Sequence, residues 1–364
     1  MALNTIPEIL EDIRAGRMVV ILDDEDRENE GDFIMAAEAV TAEKIAFIVR
    51  HSSGIICQPM LHERLEALQL PQMVTQNSES HRTAFAISVD YRHGTTTGIS
   101  AHDRAKTIKA LADPASKSGD FARPGHIFPL SYAAGGVLTR AGHTEATIDL
   151  VRLAGLTSLS GILCEIVNDD GTMKRRPELE AFAQEHDLKI GTIADLIRFR
   201  LETEKTVLRV HEENVDTEFG PFRLVAYRDV IHHGLHYALV RGTVDDGAPV
   251  LSRVHVRNTL SDVLHLQRDD LGLTVTSALR RIADEDRGVL LVLSGEDTTE
   301  ALLARLNRQP TTQAPEEAQQ QEWRQHGLGA QMLVDLGVHR LRVLGTPRKL
   351  VGLAGFGLEV VEYV

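Results

Sequence analysis

The sequence is poor in cysteine: Cys57 and Cys164 are the only two among 364 residues. They cannot build a disulfide framework or a four-thiolate metal site. Each lies in an apolar, strand-like run, a usage that fits a reducing cytoplasm. Long apolar runs are also missing. No stretch approaches a membrane span, and the N-terminus carries no basic-then-apolar signal, so no membrane partner is expected. Positive charge is short as well, with 39 Lys and Arg against 53 Asp and Glu. A net charge of −14 argues against a nucleic-acid partner, which would need a basic face. No internal repeat is found. The apolar fraction, 43%, is ordinary, and the length suits two domains, each able to bury a core.

Acid is what the chain has in excess, and it is concentrated. Residues 23–32, Asp-Asp-Glu-Asp-Arg-Glu-Asn-Glu-Gly-Asp, hold seven carboxylates and one arginine. Met18 to Leu22 and Phe33 to Ala37 flank them as short buried strands, because such continuous apolar runs rarely make whole helices. The acids therefore sit on a loop pinned at both ends by a sheet. A solvated acidic turn is the ordinary outcome for such a run. An EF-hand loop is excluded, since its twelfth position, counted from Asp26, is Ala37. Like charges crowded against a core need a counter-charge, and oxygen ligands suit Mg²⁺ or Mn²⁺.

Further along, a helix is expected over Thr5 to Ala15, another after a Thr41 cap, and a third over Ala101 to Ala112 behind Ser100. Arg82 to Val89 alternates like a strand. Thr95 to Ser100 could cradle phosphate, but ordinary capping is the better reading. Arg123-Pro124-Gly125-His126 to Pro129 reads as a rigid loop, where a histidine has few structural excuses. Gly135 to Ala146 reads as strand, tight turn and a helix capped by Thr144. Arg140, the Gly142 turn and that helix start make a stronger anion site. His143 there could ligate a metal or hydrogen-bond across the turn. Glu165 interrupts the apolar strand Ile162 to Val167; burial there would raise its pKa and suit it to acid–base work.

Five motifs stand in order: Asp26-Arg27-Glu28-Asn29-Glu30-Gly31-Asp32, Thr97-Gly98-Ile99-Ser100, Arg123-Pro124-Gly125-His126, Arg140-Ala141-Gly142-His143-Thr144-Glu145 and Cys164-Glu165. Together they resemble the 3,4-dihydroxy-2-butanone 4-phosphate synthases of riboflavin biosynthesis, over about the first 200 residues. The resemblance implies an α+β fold, a mixed-sheet α/β sandwich. It implies a homodimer that converts D-ribulose 5-phosphate to 3,4-dihydroxy-2-butanone 4-phosphate and formate with Mg²⁺ or Mn²⁺. Carried over by position, Glu28 and His143 would be metal ligands. Arg27 and Asp32 would contact the sugar, Glu28 and Glu165 would also bind substrate, and Arg140, Ala141, Gly142, His143 and Thr144 would hold it, chiefly by its phosphate. His126 and Glu165 would be essential for catalysis.

The domains expected are 1–204 and 205–364. The second reads as β-rich α+β, with strands at Phe222 to Arg228, His236 to Gly242, Val250 to Val256 and Gly288 to Leu293. With Arg253-Val254-His255 and the closing Gly-rich segments, it is similar to GTP cyclohydrolase II. That family's zinc site needs three cysteines, and Asn258, Asp269 and Leu271 stand at those positions. Leucine cannot ligate a metal, so no zinc and no GTP cyclohydrolase activity are expected. Ser294 to Thr298 also replaces the family's Gln-Glu-Gly-Arg-Gly run. The His232, His233 and His236 turn reads as a surface feature, and Arg308 to Glu322 as a mobile loop. Arg348 and Lys349 are the candidates for a retained phosphate contact. The alternatives are residual cyclohydrolase activity in a bifunctional enzyme, or a non-catalytic phosphate-binding regulator.

Overall fold

The apolar runs beside the acidic loop are neighbouring antiparallel strands, β1 (Val19–Leu22) and β2 (Gly31–Ala36), with Leu22 opposite Gly31. Every residue of both is buried, because helices cover the sheet on each face; such strands read as continuous hydrophobic runs. The structure, a computed structural model, describes residues 3–23, 28–79, 81, 83–231, 233–268, 271–295, 299–307, 325, 327–345 and 356–364. The chain folds as two units, Met1–Phe199 and Arg200–Val364. Both are α+β, as expected. Among the described residues, no helix is long and apolar enough to cross a membrane.

In the first unit β3 (Cys57–Met60), β4 (Val89–Tyr91), β5 (Phe121–Ser131), β6 (Gly161–Glu165) and β7 (Lys189–Thr192) complete a mixed sheet ordered β4-β5-β3-β6-β2-β1-β7. Helices α1 (Ile6–Arg14), α2 (Ala42–His51), α3 (His62–Ala67), α4 (Ala101–Ala112), α5 (His143–Leu153), α6 (Arg176–Glu185) and α7 (Ile193–Thr203) surround it. α1 and α5 pack together against β1 and β2, while α2, α4 and α6 supply Ile45, Ile108 and Leu179 to the core with Val20, Phe33 and Met35. Start signals act as the sequence implied. Thr41 Oγ1 accepts the Lys44 N–H, and Ser100 Oγ accepts the Asp103 N–H.

Three local expectations change. Around 82–89 only isolated bridges at Phe85 and Ala86 precede β4, and Arg82 lies outside the described residues. The supposed 123–129 loop belongs to β5. Gly142, not Thr144, is the N-cap of α5; Thr144 is already inside the helix and buried. The threonine turn before α4 keeps to ordinary capping, as expected: the Asp103 carboxylate accepts the N–H groups of Thr96 and Gly98.

The second unit has a sheet ordered β14-β13-β11-β12-β10-β9-β8, from β8 (Val207–Thr217), β9 (Gly220–Asp229), β10 (Leu235–Arg241), β11 (Val250–Val256), β12 (Gly288–Leu293), β13 (Arg340–Val343) and β14 (Glu359–Tyr363). α8 (Val275–Glu285) buries Ala278, Leu279 and Ile282 with Leu251 and Leu290 on one face. A helix over 327–335 buries Leu328, Met332 and Leu333 with Tyr227 and Leu291 on the other. A further helix, α9, spans Thr299–Leu306. Residues 308–322, and with them the expected mobile loop, lie outside the described residues, as do His232, Asp269, Arg348 and Lys349.

β2 serves two purposes through adjacent residues, because Asp32 reaches the site described below while Phe33 packs on Phe47 and Phe182 at 5.7 and 5.8 Å between ring centroids. Phe33→Ala should cost roughly 3–5 kcal/mol through the cavity it leaves. A fall in the urea midpoint of the first unit would measure it; an unchanged midpoint would mean the core refills.

Candidate active site

Asp23, the first residue after β1, holds residues 28 and 30 of the acidic run. Its carboxylate accepts the Glu28 N–H at 3.1 Å and the Glu30 N–H at 2.8 Å. Those two bonds bring Glu28 back over the sheet toward His143, the first residue of α5. The His143 ring is buried, and its Nε2 lies 3.0 Å from the Ile21 carbonyl oxygen. A carbonyl can only accept, so Nε2 carries hydrogen and Nδ1 is the atom left to take a proton or a cation. Nδ1 lies 3.8 Å from both Glu28 Oε2 and Asp32 Oδ1. Ligand atoms of Asp23, Glu28 and His143 all fall within 4.8 Å of one another.

The electrostatics of this cluster are strained. Burial opposes charge on His143, but Asp32, Glu28 and Asp23 outweigh it and raise the ring to about 9. Burial also drives the Asp32 carboxyl well above the usual range; His143 opposes that shift, and Glu165 and Glu28 reinforce it. Glu30 is raised by burial and then by Glu28 and Glu165. Asp32 Oδ1 is buried without a hydrogen-bond partner. An orphaned carboxylate oxygen beside an imidazole and further carboxylates fits a hard divalent cation, whose charge would satisfy all of them.

Asp32 and Glu165 are directly opposed across β2 and β6. Glu165 ends its strand instead of lying within it and is only half-buried, so Asp32 is the enclosed carboxylate of the pair. Glu165 Oε2 accepts the Ser53 hydroxyl at 2.6 Å, and the Ser53 N–H donates to the Glu165 carbonyl at 2.9 Å. Cys57 and Cys164 are buried nearby. Burial pushes the Cys164 thiol up to about 11 and Cys57 well above its ordinary value, so neither supplies a thiolate.

Arg140 is oriented by the buried Glu145, Nη1 donating to Oε2 at 2.7 Å. Its Nη2 reaches Thr83 Oγ1 at 3.0 Å and the His81 carbonyl at 3.2 Å. Gly142 makes this fold-back possible, because a Cβ there would meet Arg140 Nη1 at 2.4 Å. Ala141, Gly142 and Thr144 are buried beside it. His81 also places Nε2 3.9 Å from Glu28 Oε1. His126 Nδ1 lies 2.7 Å from Asp90 Oδ2.

The fold thus gathers Glu28, Asp32, His143 and Glu165, with Arg140 fixed at the start of the same helix as His143. Arg27 lies outside the described residues. Sequence reasoning gave no individual role to Asp23, Ser53, His81 or Asp90. Asp23 had a signal, as the first carboxylate after an apolar strand; the other three join the site only through tertiary pairing.

Without a cation, His143 is protonated up to about pH 9, so a cation bound at Nδ1 must displace that proton. Divalent cation uptake by the metal-free protein should therefore release protons near neutral pH, and apparent affinity should tighten as pH rises toward about 9. Titration calorimetry in buffers of different ionisation enthalpy reads the release. Uptake without proton release would remove His143 from the ligand set.

Comparison with known proteins follows the same division. Residues 7–199 match the 3,4-dihydroxy-2-butanone 4-phosphate synthase family, and residues 208–364 match GTP cyclohydrolase II. A Pseudomonas aeruginosa 3,4-dihydroxy-2-butanone 4-phosphate synthase is 48% identical over 364 residues, covering 100% of this chain and 99% of the relative. The crystal structure of RibBX, a two-domain synthase of that name from A. baumannii, matches at 42% identity and TM-score 0.81, covering 99% of each chain. A synthase structure in complex with two magnesium ions matches 55% of this chain and 98% of its own, at 48% identity and TM-score 0.54. With residues 7–199 matching the family and a relative this similar along its whole length, the chain belongs to the 3,4-dihydroxy-2-butanone 4-phosphate synthase family.

Proposed function

We propose that the synthase domain, residues 1–204, converts D-ribulose 5-phosphate to 3,4-dihydroxy-2-butanone 4-phosphate and formate, using Mg²⁺ or Mn²⁺. The observation that carries this reading is the enclosure of His143 Nδ1 by Glu28 and Asp32, with Nε2 committed to Ile21. Glu28 and His143 would hold the cation, with Asp23 as a further oxygen donor. When bound, the cation supplies Lewis-acid polarisation of the substrate's carbonyl and hydroxyl oxygens.

The chain's own groups do the rest. Arg140, oriented by Glu145, pairs with the phosphate beside the start of α5, with Ala141, Gly142 and Thr144 closing around it. Arg27 and Asp32 fix the sugar. A base must remove the proton next to the carbonyl, and an acid must assist loss of the C1 hydroxyl; rearrangement and hydration then free C4 as formate. His126 and Glu165 are the proton carriers, Glu165 set in place by the Ser53 hydroxyl. The same reading makes the protein a cytoplasmic homodimer with no nucleic-acid or membrane partner.

Residues 205–364 form the cyclohydrolase II-like domain and take the role of a stabilising or regulatory module. Leu271 cannot bind zinc, and Asn258 Oδ1 is occupied as a cap on the Leu260 N–H at 3.0 Å. His255 is likewise engaged, with Nε2 2.7 Å from Asp262 Oδ2.

Formate release tests both halves. Ribulose 5-phosphate should give formate that EDTA abolishes and Mg²⁺ restores, and Glu165→Gln should lower that turnover about 10²-fold or more while the protein stays folded. Undiminished formate from that variant would remove Glu165 from the chemistry. GTP should give no formate, and elemental analysis should find no zinc; formate from GTP would return the second half to catalysis.

A further inference from the structure

β4 and β5 pair antiparallel with a break in register: Val89 faces Ile127, but Asp90 faces Ala122. Arg123, Pro124, Gly125 and His126 are therefore left over on β5 and bulge outward opposite a single step of β4. The bulge brings His126 onto Asp90 at two points. Asp90 Oδ1 accepts the His126 backbone N–H at 2.9 Å, and Oδ2 lies 2.7 Å from Nδ1 of the ring. One carboxylate thus holds both the main chain and the imidazole of the same residue.

Two glycines leave room for this contact. At Gly125 a Cβ would fall 2.0 Å from the Val89 carbonyl carbon and 2.2 Å from the Asp90 nitrogen, so no other residue lets the bulge close onto β4. At Gly98, where φ is +88°, a Cβ would fall 2.0 Å from Asp90 Oδ2. The glycines of the threonine turn and of the Arg-Pro-Gly-His motif, which are remote in sequence, are both fitted to Asp90.

We propose that Asp90 is a positioning residue for His126, holding hydrogen on Nδ1 so that Nε2 presents its lone pair to the substrate. This rests on the assignment of His126 as a proton carrier. An ionised carboxylate only accepts hydrogen bonds, so the ring nitrogen facing it is the donor and the other is left as the base. When Nε2 takes a proton from the substrate, the electron pair stays on the substrate and the ring becomes a cation. Asp90 remains ionised beside it and stabilises that charge without taking the proton.

The test is Asp90→Asn. The His126 main-chain N–H still needs an acceptor, so the amide oxygen stays there and the NH₂ turns to Nδ1. The ring must then carry its hydrogen on Nε2. Formate release should show kcat lower by roughly 10²-fold or more with KM little changed. Nitrogen-15 NMR should move the ring proton from Nδ1 to Nε2, with an unchanged circular dichroism spectrum. The loss should also disappear in the His126→Gln background, where the ring is already gone. Asp90→Asn with normal kcat and the proton still on Nδ1, set against an inactive His126→Gln, would overturn the dyad alone. A fully active His126→Gln would overturn the assignment beneath it. Should Asp90→Asn not fold, the spectrum of the unaltered protein decides, since hydrogen on Nε2 there contradicts the proposal.

Discussion

Burying Asp32 and His143 together is the constraint on which the first unit depends. Both lie within the packed interior, and burial penalises the charged form of each. Neither would be tolerated as an ion alone, because removing one member of a buried pair leaves an uncompensated charge. Their attraction works across 3.8 Å, with Glu28 at the same distance from the same nitrogen, so negative groups exceed the positive charge available. A proton on His143 is one local remedy in the protein without a cation, and a proton on Asp32, whose carboxyl burial raises, is another. A divalent cation is a better one, since it brings two charges in exchange for one proton.

Position on the sheet explains why this arrangement holds. The loop that carries Glu28 leaves from β1 and returns into β2, and Asp23 closes it by accepting two of its N–H groups. Asp32 and Glu165 are register partners, so their separation is set by strand pairing and not by loop conformation. His143 is fixed from the other side by a carbonyl of β1. The acids vary in burial, from enclosed Asp32 to half-buried Glu165, so carboxyls on neighbouring strands meet different environments.

Legibility in the sequence followed how local each signal was. β1, β2 and β12 are plain because their apolar runs are continuous, and α4 because Ser100 caps it. β8 was missed, since most of its residues are exposed and it lies at a sheet edge with no buried face to impose alternation. The 123–129 segment looked like a loop because Pro124 and Gly125 are turn residues, while its strand character comes from pairing with β3 and β4. Motif residues such as Glu28, His143 and Glu165 carried their identity in short contiguous patterns. Ser53 and Asp90 did not: their meaning is a partner 112 or 36 residues away. The apolar neighbours of Glu165 imply burial, but as the last residue of its strand it turns partly toward solvent.

The second unit separates what maintains a fold from what maintains a site. Its sheet is covered on both faces by apolar clusters that do not involve the zinc positions, so losing thiolates there need not cost the core anything. Asn258 and His255 are engaged in hydrogen bonding. Asp262 accepts the Asn258 N–H at 2.8 Å and the Val275 N–H at 3.4 Å while it faces His255, and Asn258 in turn caps the following turn. These contacts join the end of β11 to the start of α8. Restoring a cysteine at 258 would thus remove a cap before it could contribute a ligand. Because Asn258 and His255 are both held by hydrogen bonds, no single cysteine substitution assembles a thiolate site there.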